Sequence, residues 1–205
     1  MDWRILHKSV TESTNKDALG GKPGDVFVAD MQTVGRGRLD HRWLSAPGEN
    51  LMMSAVVDVV DVPPHEAATL PLVAGLAVAQ AVSGVCAAHG DPSRTADVKI
   101  KWPNDVLIDR RKICGILCER NGDNVIVGIG VNVNQTAFPP EISDRATSVR
   151  LELGALHDVA NVRDEVLDRL HECIERWRKD GFAALLPELS AFDCLKGRRV
   201  AVRRT

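Results

Sequence analysis

Four β-type runs between Val98 and Val131 constrain the fold of this chain more than any other feature. Val98-Lys99-Ile100-Lys101-Trp102 reads as a strand with alternating sides. Val106-Leu107-Ile108, Ile113-Cys114-Gly115-Ile116-Leu117-Cys118 and Val125–Val131 follow it. Asp109-Arg110-Arg111 supplies the turn between the second and third runs. A hairpin of that shape brings Asp105 and Lys112 near each other, one on each strand. An ammonium beside a carboxylate at a strand end can hold a charged small molecule or Mg²⁺. Standing alone, the same pair reads equally well as solvated edge charge.

The flanking segments supply the other elements. Ile5-Leu6-His7 fits a short strand, and Thr11-Glu12-Ser13-Thr14-Asn15 holds helix-capping types before a short helix near Lys16–Leu19. Val26–Asp30 and Leu51–Val60 read as strands. Leu70, Val73, Ala74, Ala77, Val78, Ala81 and Val85 recur at helical spacing, which predicts a largely buried helix. Residues 135–150 read as a loop. Val159, Val162, Val166, Leu170, Cys173 and Trp177 mark one face of an amphipathic helix, with a shorter helix over Gly181–Leu189. Residues 196–205 resemble the first strand of a further unit, and a lone strand cannot bury its own faces.

Composition narrows the function. Of 205 residues, 44% are hydrophobic, enough for a folded core, and the net charge is −2, so no global positive field draws the chain to nucleic acid or a membrane. No uninterrupted apolar run reaches membrane-span length. Five scattered cysteines without a Cys-x-x-Cys read as small buried hydrophobes in a reducing compartment, and a cytoplasmic location is expected.

Three more constellations bear on chemistry. In Gly35-Arg36-Gly37-Arg38, preceded by Gln32 and followed by Trp43, glycines let the backbone approach a ligand, arginines offer forks for carboxylate or phosphate, and Trp43 can stack on a flat ring. Ser13-Thr14-Asn15 is an N-cap by default, yet its hydroxyl and amide groups suit a ureido or amide ligand. Gly128-Ile129-Gly130-Val131-Asn132 fails as a dinucleotide fingerprint, because the third glycine is absent and no helix follows. It reads as a strand with two close-packing glycines, ending in an asparagine near a ligand or in a turn.

In order and approximate spacing, Ser13-Thr14-Asn15, Gln32 to Arg38, Trp43, Lys101-Trp102-Pro103-Asn104-Asp105, Lys112 to Gly115 and Gly128–Asn132 resemble the biotin protein ligases, the biotin–[acetyl-CoA-carboxylase] ligases. The resemblance runs over about residues 5–180. It implies an α+β fold, a mixed and mostly antiparallel sheet with helices packed on one side. The ligand would lie across the sheet under the 33–50 and 133–147 loops. It divides the chain into a catalytic domain over 1–192 and the apparent start of a small C-terminal β-barrel over 193–205. It matches the monofunctional type without an N-terminal DNA-binding segment.

The resemblance also implies an activity. Biotin is activated with ATP to biotinyl-5′-AMP, and the biotinyl group passes to a lysine of a biotin carboxyl carrier domain. Lys112, Asp105 and Arg38 are the implied catalytic residues. Ser13, Thr14, Asn15, Gln32, Gly35, Arg36, Gly37, Arg38, Lys112 and Gly115 would bind biotin. Arg38, Trp43, Asn104, Asp105, Lys112 and Asn132 would bind ATP and the adenylate. Mg²⁺ would be held mainly through the phosphates, with Asp105 as the one protein group in reach. Lys101 matches a second family lysine that a structural ion pair would also explain. Biotin, ATP and the carrier domain are the implied partners, with no nucleic acid and no membrane; homodimers through a sheet edge are common in such proteins. Many relatives have a Gly-Arg pair where this chain has Leu39-Asp40-His41-Arg42, which leaves Arg42 without an assigned role. The rival readings are a lipoate ligase or transferase, and a non-catalytic biotin-binding regulatory protein.

Overall fold

The computed structural model describes residues 2–38, 42–90 and 96–201. Leu39, Asp40 and His41 lie outside them. Seven strands form one open sheet in the order β1-β2-β3-β7-β6-β5-β4. In chain order they are β1 Arg4–Thr11, β2 Asp25–Gln32, β3 Leu51–Asp58, β4 Val98–Lys101, β5 Asp105–Ile108, β6 Arg111–Asn121 and β7 Asn124–Val131. Only the β1–β2 pair is parallel; every other neighbour is antiparallel. The expected mixed, mostly antiparallel sheet is therefore present.

The 98–131 region behaves as its pattern requires. Asp109 and Arg110 carry positive φ of 47° and 69° and form a two-residue turn between β5 and β6. Turns of that hand match the twist of the flanking strands, which explains why two non-glycine residues tolerate the left-handed region. Trp102, expected at the end of β4, lies in the turn before β5 instead.

Alternation splits the sheet into two faces. Leu51, Met53, Ala55 and Val57 of β3, with Val125, Val127, Ile129 and Val131 of β7, enter the main core. That face is covered by α3 (Leu70–His89), α5 (Val159–Asp180) and α6 (Leu186–Phe192). α3 is buried on most of its sides, so its residues are apolar all round rather than along one stripe. Here an expectation is corrected: the stretch Pro64–His89, which takes in α2 (Pro64–Ala67), is long and apolar enough by composition to cross a membrane. Packing between the sheet and α5 explains that apolarity. α5 starts where the Asp158 carboxylate accepts the Ala160 N–H at 2.8 Å. It buries Trp177, whose indole Nε1 donates to Thr69 Oγ1 at 3.1 Å.

The opposite face carries only a short helix, α1 (Thr14–Asp17), continued by a 3₁₀ turn over Ala18–Gly20. Ala18, Val56 and Ile126 make a small second core there. Much of the rest of this face is polar. Residues 135–148 form the expected loop, but α4 (Val149–Leu153) begins inside its predicted end, capped by Ser148. The predicted strand over 196–205 does not form among its described residues: 194–197 turn, and 198–201 are irregular. Just before them, Asp193 makes an isolated parallel bridge to Ile100 at the sheet edge. With no further partner, a lone β-type run has nothing to pair with.

Candidate active site

The polar face of the sheet gathers the sequence motifs into one slot with two different ends. One end is built around Lys112. Its Nζ lies 2.6 Å from Asp105 Oδ1, across the β5–β6 hairpin as the turn predicts. The Lys112 side chain is 37% exposed and that of Asp105 22%, so the pair is reachable yet partly shielded. The strand register explains the aim of the lysine. β5 pairs Asp105 with Gly115, Val106 with Cys114, and then Leu107 with Lys112. Ile113 is the extra residue of a β-bulge. Lys112 and Gly115 are an odd number of residues apart and would face opposite sides of a regular strand. The bulge puts both on the polar face, with Lys112 Nζ only 3.2 Å from where a Gly115 Cβ would stand.

The backbone of Lys112 is held on its other side as well. Its N–H donates to Arg145 O at 2.7 Å and its carbonyl accepts the Thr147 N–H at 2.9 Å. Asn132 secures this segment: its N–H donates to Ile113 O at 2.8 Å, and its Nδ2 donates to Thr147 O at 2.9 Å. The buried Glu152 carboxylate accepts from Thr147 Oγ1 and from Arg111 Nη2, the latter at 2.7 Å. Asn104 packs beside Asp105, with Nδ2 donating to Ile116 O at 3.0 Å, and Arg38 Nη1 reaches Asn104 Oδ1 at 3.3 Å. Lys101 is exposed and stands opposite Asp105 in the β4–β5 register.

The other end is a buried array of neutral polar groups. Ser13, Thr14 and Asn15 are all at most 5% exposed. Ser13 occupies the N-cap position of α1 but makes no side-chain capping bond, contrary to the default reading. Gln32 Oε1 accepts the Thr14 N–H at 2.8 Å. Ser54 Oγ lies 2.7 Å from Thr14 Oγ1 and 2.6 Å from Asn15 Oδ1. Asn15 Nδ2 donates to Glu119 Oε2 at 2.7 Å, and Arg36 Nη2 donates to Glu119 Oε1 at 2.9 Å. Glu119 and Gly115 share the polar face of β6, four residues or about 13 Å apart, and that distance separates the two ends.

Glycines make the slot possible. A methyl on Gly128 would stand 2.1 Å from Asn15 Oδ1, and one on Gly130 would stand 2.6 Å from the Trp43 ring. The close-packing reading of that glycine pair holds. Trp43 lies over Gly130 and Gly115 with Lys112 Nζ 5.9 Å from its ring centroid, and its N–H donates to Gly35 O at 3.0 Å. Trp43 Nε1 is buried without a hydrogen-bond partner, a donor left for a ligand acceptor. On the outer side of Trp43 opens a cleft of about 410 Å³ lined by Gln32, Gly35, Arg42, Leu44, Gln135 and Pro139. Arg42 bridges Arg36 across the loop.

The structure thus brings together Ser13, Thr14, Asn15, Gln32, Gly35, Arg36, Trp43, Lys112 and Gly115, with Arg38, Asn104 and Asp105 at the lysine end. Asn132 stands at the edge of this group and spends its amide nitrogen on the chain. Ser54 and Glu119 were missed by sequence reasoning. Ser54 is the one hydroxyl in the apolar run Leu51–Val57, and Glu119 continues the parity of Gly115; both signals were present. Cys114 lies beside Lys112 but is no nucleophile, because burial pushes its thiol strongly upward.

The model of the biotin/lipoate A/B protein ligase family matches residues 8–135, which hold every one of these motifs. The chain belongs to that family. Within it, the biotin–[acetyl-CoA-carboxylase] ligase of Mycobacterium tuberculosis is 38% identical over 86% of this chain and 66% of its own. That of Paracoccus denitrificans is 35% identical over 85% and 75%. The bifunctional ligase/repressor BirA of Bacillus spizizenii is 35% identical over 88% of this chain; the chain spans 55% of that relative's length. Among solved structures, the biotin protein ligase from Aquifex aeolicus in complex with biotin and ATP superposes with a TM-score of 0.80. It is 32% identical over 93% of this chain and 78% of that one. The family description covers two carboxylic acids, biotin and lipoate, and they differ in the head group that the buried polar end would meet.

Proposed function

We propose that the chain activates biotin with ATP to biotinyl-5′-AMP and transfers the biotinyl group to a lysine of a carboxylase's biotin carboxyl carrier domain. One observation carries the reading: an ammonium–carboxylate pair and a buried neutral polar array face the same slot, about 13 Å apart along β6. A molecule with a neutral hydrogen-bonding head, an apolar chain and an anionic tail fits that pattern. Biotin is such a molecule. Lipoate has an apolar dithiolane head, which would leave Ser13, Thr14 and Asn15 buried without ligand partners. Sites built to hydrogen-bond a head group reject analogues lacking it by about 10⁴-fold or more.

In the first step the biotin carboxylate oxygen attacks the α-phosphorus, and the bond to pyrophosphate breaks. Both reactants are anionic. Lys112 supplies a fixed cation between them, and its backbone bonds to Arg145 and Thr147 keep it from retreating. Trp43 and the adjoining cleft give the adenosine a surface to lie on, with Asn132 at its edge. In the second step an acceptor amine attacks the anhydride carbonyl and AMP leaves. The acceptor must first lose a proton, and Asp105 is the carboxylate placed to take it.

The described residues contain no cluster of three or more potential metal ligands, so Mg²⁺ would be held chiefly by the triphosphate, with Asp105 the one carboxylate at that end. When bound it would screen the leaving pyrophosphate. Arg36 and Arg38 close the loop over the slot, which protects an acyl-adenylate from water. The five free cysteines suit a reducing, cytoplasmic setting.

Biotin-dependent ATP–pyrophosphate exchange tests the first step, and labelling of a carrier domain with radioactive biotin tests the second. Lys112→Ala is expected to slow exchange by at least about 10²-fold. Exchange supported by lipoate and not by biotin would reverse the assignment. Biotin binding without carrier labelling would favour the regulatory reading.

A further inference from the structure

We propose that Glu119 is a positioning residue that sets the hydrogen-bond polarity of the Ser13–Asn15 pocket, turning it into an acceptor surface for ligand N–H groups. The inference rests on the biotin reading. Its basis is a chain of contacts in which every hydrogen can be assigned.

Paired with Arg36, Glu119 is a carboxylate, and a carboxylate only accepts. The Asn15 atom 2.7 Å from Glu119 Oε2 must therefore be the amide nitrogen. The carbonyl of Leu117, 3.3 Å from the same atom, agrees. The other end of the amide, Oδ1, then faces Ser54 Oγ at 2.6 Å, and only the Ser54 hydroxyl can donate in that contact. Ser54 has spent its one hydrogen. Its 2.7 Å contact with Thr14 Oγ1 must run the other way, with Thr14 donating. The relay is thus directed from Thr14 to Ser54 to Asn15 to Glu119. Its hydrogens all point toward the carboxylate, and Thr14 Oγ1 keeps its lone pairs for a ligand. Gln32 Oε1, already the acceptor of the Thr14 N–H, adds a second oxygen of the same sense.

A ureido ring presents two N–H donors and one carbonyl. A pocket whose local hydroxyl is an acceptor receives an N–H; one whose hydroxyl donates opposes it. Glu119 decides which pocket exists. In Glu119→Gln, one amide must serve two donors, Arg36 and Asn15. With its NH₂ toward Asn15, the Asn15 amide turns over, Ser54 donates to Thr14, and the polarity at Thr14 reverses. The carboxylate also ties the Arg36 loop to this relay, so loop closure and head-group recognition share one anchor.

The test is calorimetric titration of the full chain with biotin, desthiobiotin and ATP. Desthiobiotin keeps the ureido ring and lacks the sulfur. Glu119→Gln is expected to weaken biotin and desthiobiotin by the same factor, at least about tenfold, and to leave ATP within about twofold of wild type. Ser54→Ala breaks the same relay from the middle and is expected to show the same split, so the test survives if the first variant fails to fold. Biotin affinity unchanged in both variants overturns the proposal. So does a loss confined to biotin and not desthiobiotin, or an equal loss for ATP. If wild type itself binds no biotin, the reading beneath falls first, and that outcome is separate from the others.

Discussion

Adding one methyl group at Gly128 is expected to break the head-group pocket without touching a polar residue. The Cβ of Gly128→Ala would stand 2.1 Å from Asn15 Oδ1, 2.9 Å from its Cγ and 3.0 Å from Leu117 O. The carbonyl belongs to the neighbouring strand and cannot yield, so Asn15 must retreat by more than about 1 Å to reach van der Waals separation. Its bonds to Ser54 at 2.6 Å and Glu119 at 2.7 Å do not survive that shift. Asn15 is 5% exposed, so water does not replace them. Each buried group left unpaired costs about 1–3 kcal/mol, and two are lost, while removing a strand glycine returns up to about 1 kcal/mol. The net destabilisation is about 1–5 kcal/mol, which lowers Tm by roughly 4–12 °C in a chain of this size. Biotin affinity should fall at least about tenfold. Scanning calorimetry with biotin titration measures both. Gly84→Ala is the control: the site is exposed in α3, with nothing within 4 Å of the new methyl. It should raise stability by about 0.5–1 kcal/mol. If Gly128→Ala keeps the wild-type Tm and biotin affinity, the polar array is not packed as described and the reasoning fails.

Two further outcomes are expected. Arg38→Gly removes the contact to Asn104 at the lysine end, so the acyl-adenylate should escape and label added bystander protein severalfold more than wild type does; equal labelling counts against closure by this loop. Asp25 is buried and its carboxyl is held below the usual range by the hydrogen bonds of Arg4, against the opposing effect of burial. A depressed folded-state value stabilises the fold above the unfolded value and loses that contribution as pH falls through the folded one. Asp25→Asn should therefore be less stable than wild type near neutrality, and the gap should close only below about pH 4. A gap independent of pH in denaturant titrations would exclude the ion pair as its source.

The hairpin that places Asp105 against Lys112 could be read from the chain because a two-residue turn leaves little choice of register. The polar triad and the glycine pair were also readable, since buried hydroxyls and close glycines stand out among β-formers. The bulge at Ile113 was not. No glycine or proline marks it, and what stabilises it is remote: Asn132 takes the Ile113 carbonyl and residues 145–147 take both backbone groups of Lys112. Glu119 escaped for a related reason. A carboxylate on a strand resembles an edge charge until Asn15 and Arg36, 104 and 83 residues away, are seen to converge on it. The tail over 196–201 misled in the opposite direction, because β-propensity without a partner strand makes no strand.

The bulge carries a consequence for how this site tolerates changes of length. A strand has a phase, inward or outward, and one extra residue inverts it. Deleting Ile113 would leave every chemical group of the slot in the chain and the hairpin still closable. It would nonetheless turn the lysine through the sheet, toward the apolar layer under α3, while Gly115 and Glu119 stayed where they are. Two chains alike in every motif residue and differing by that single position would carry their ammonium on opposite sides of the same wall.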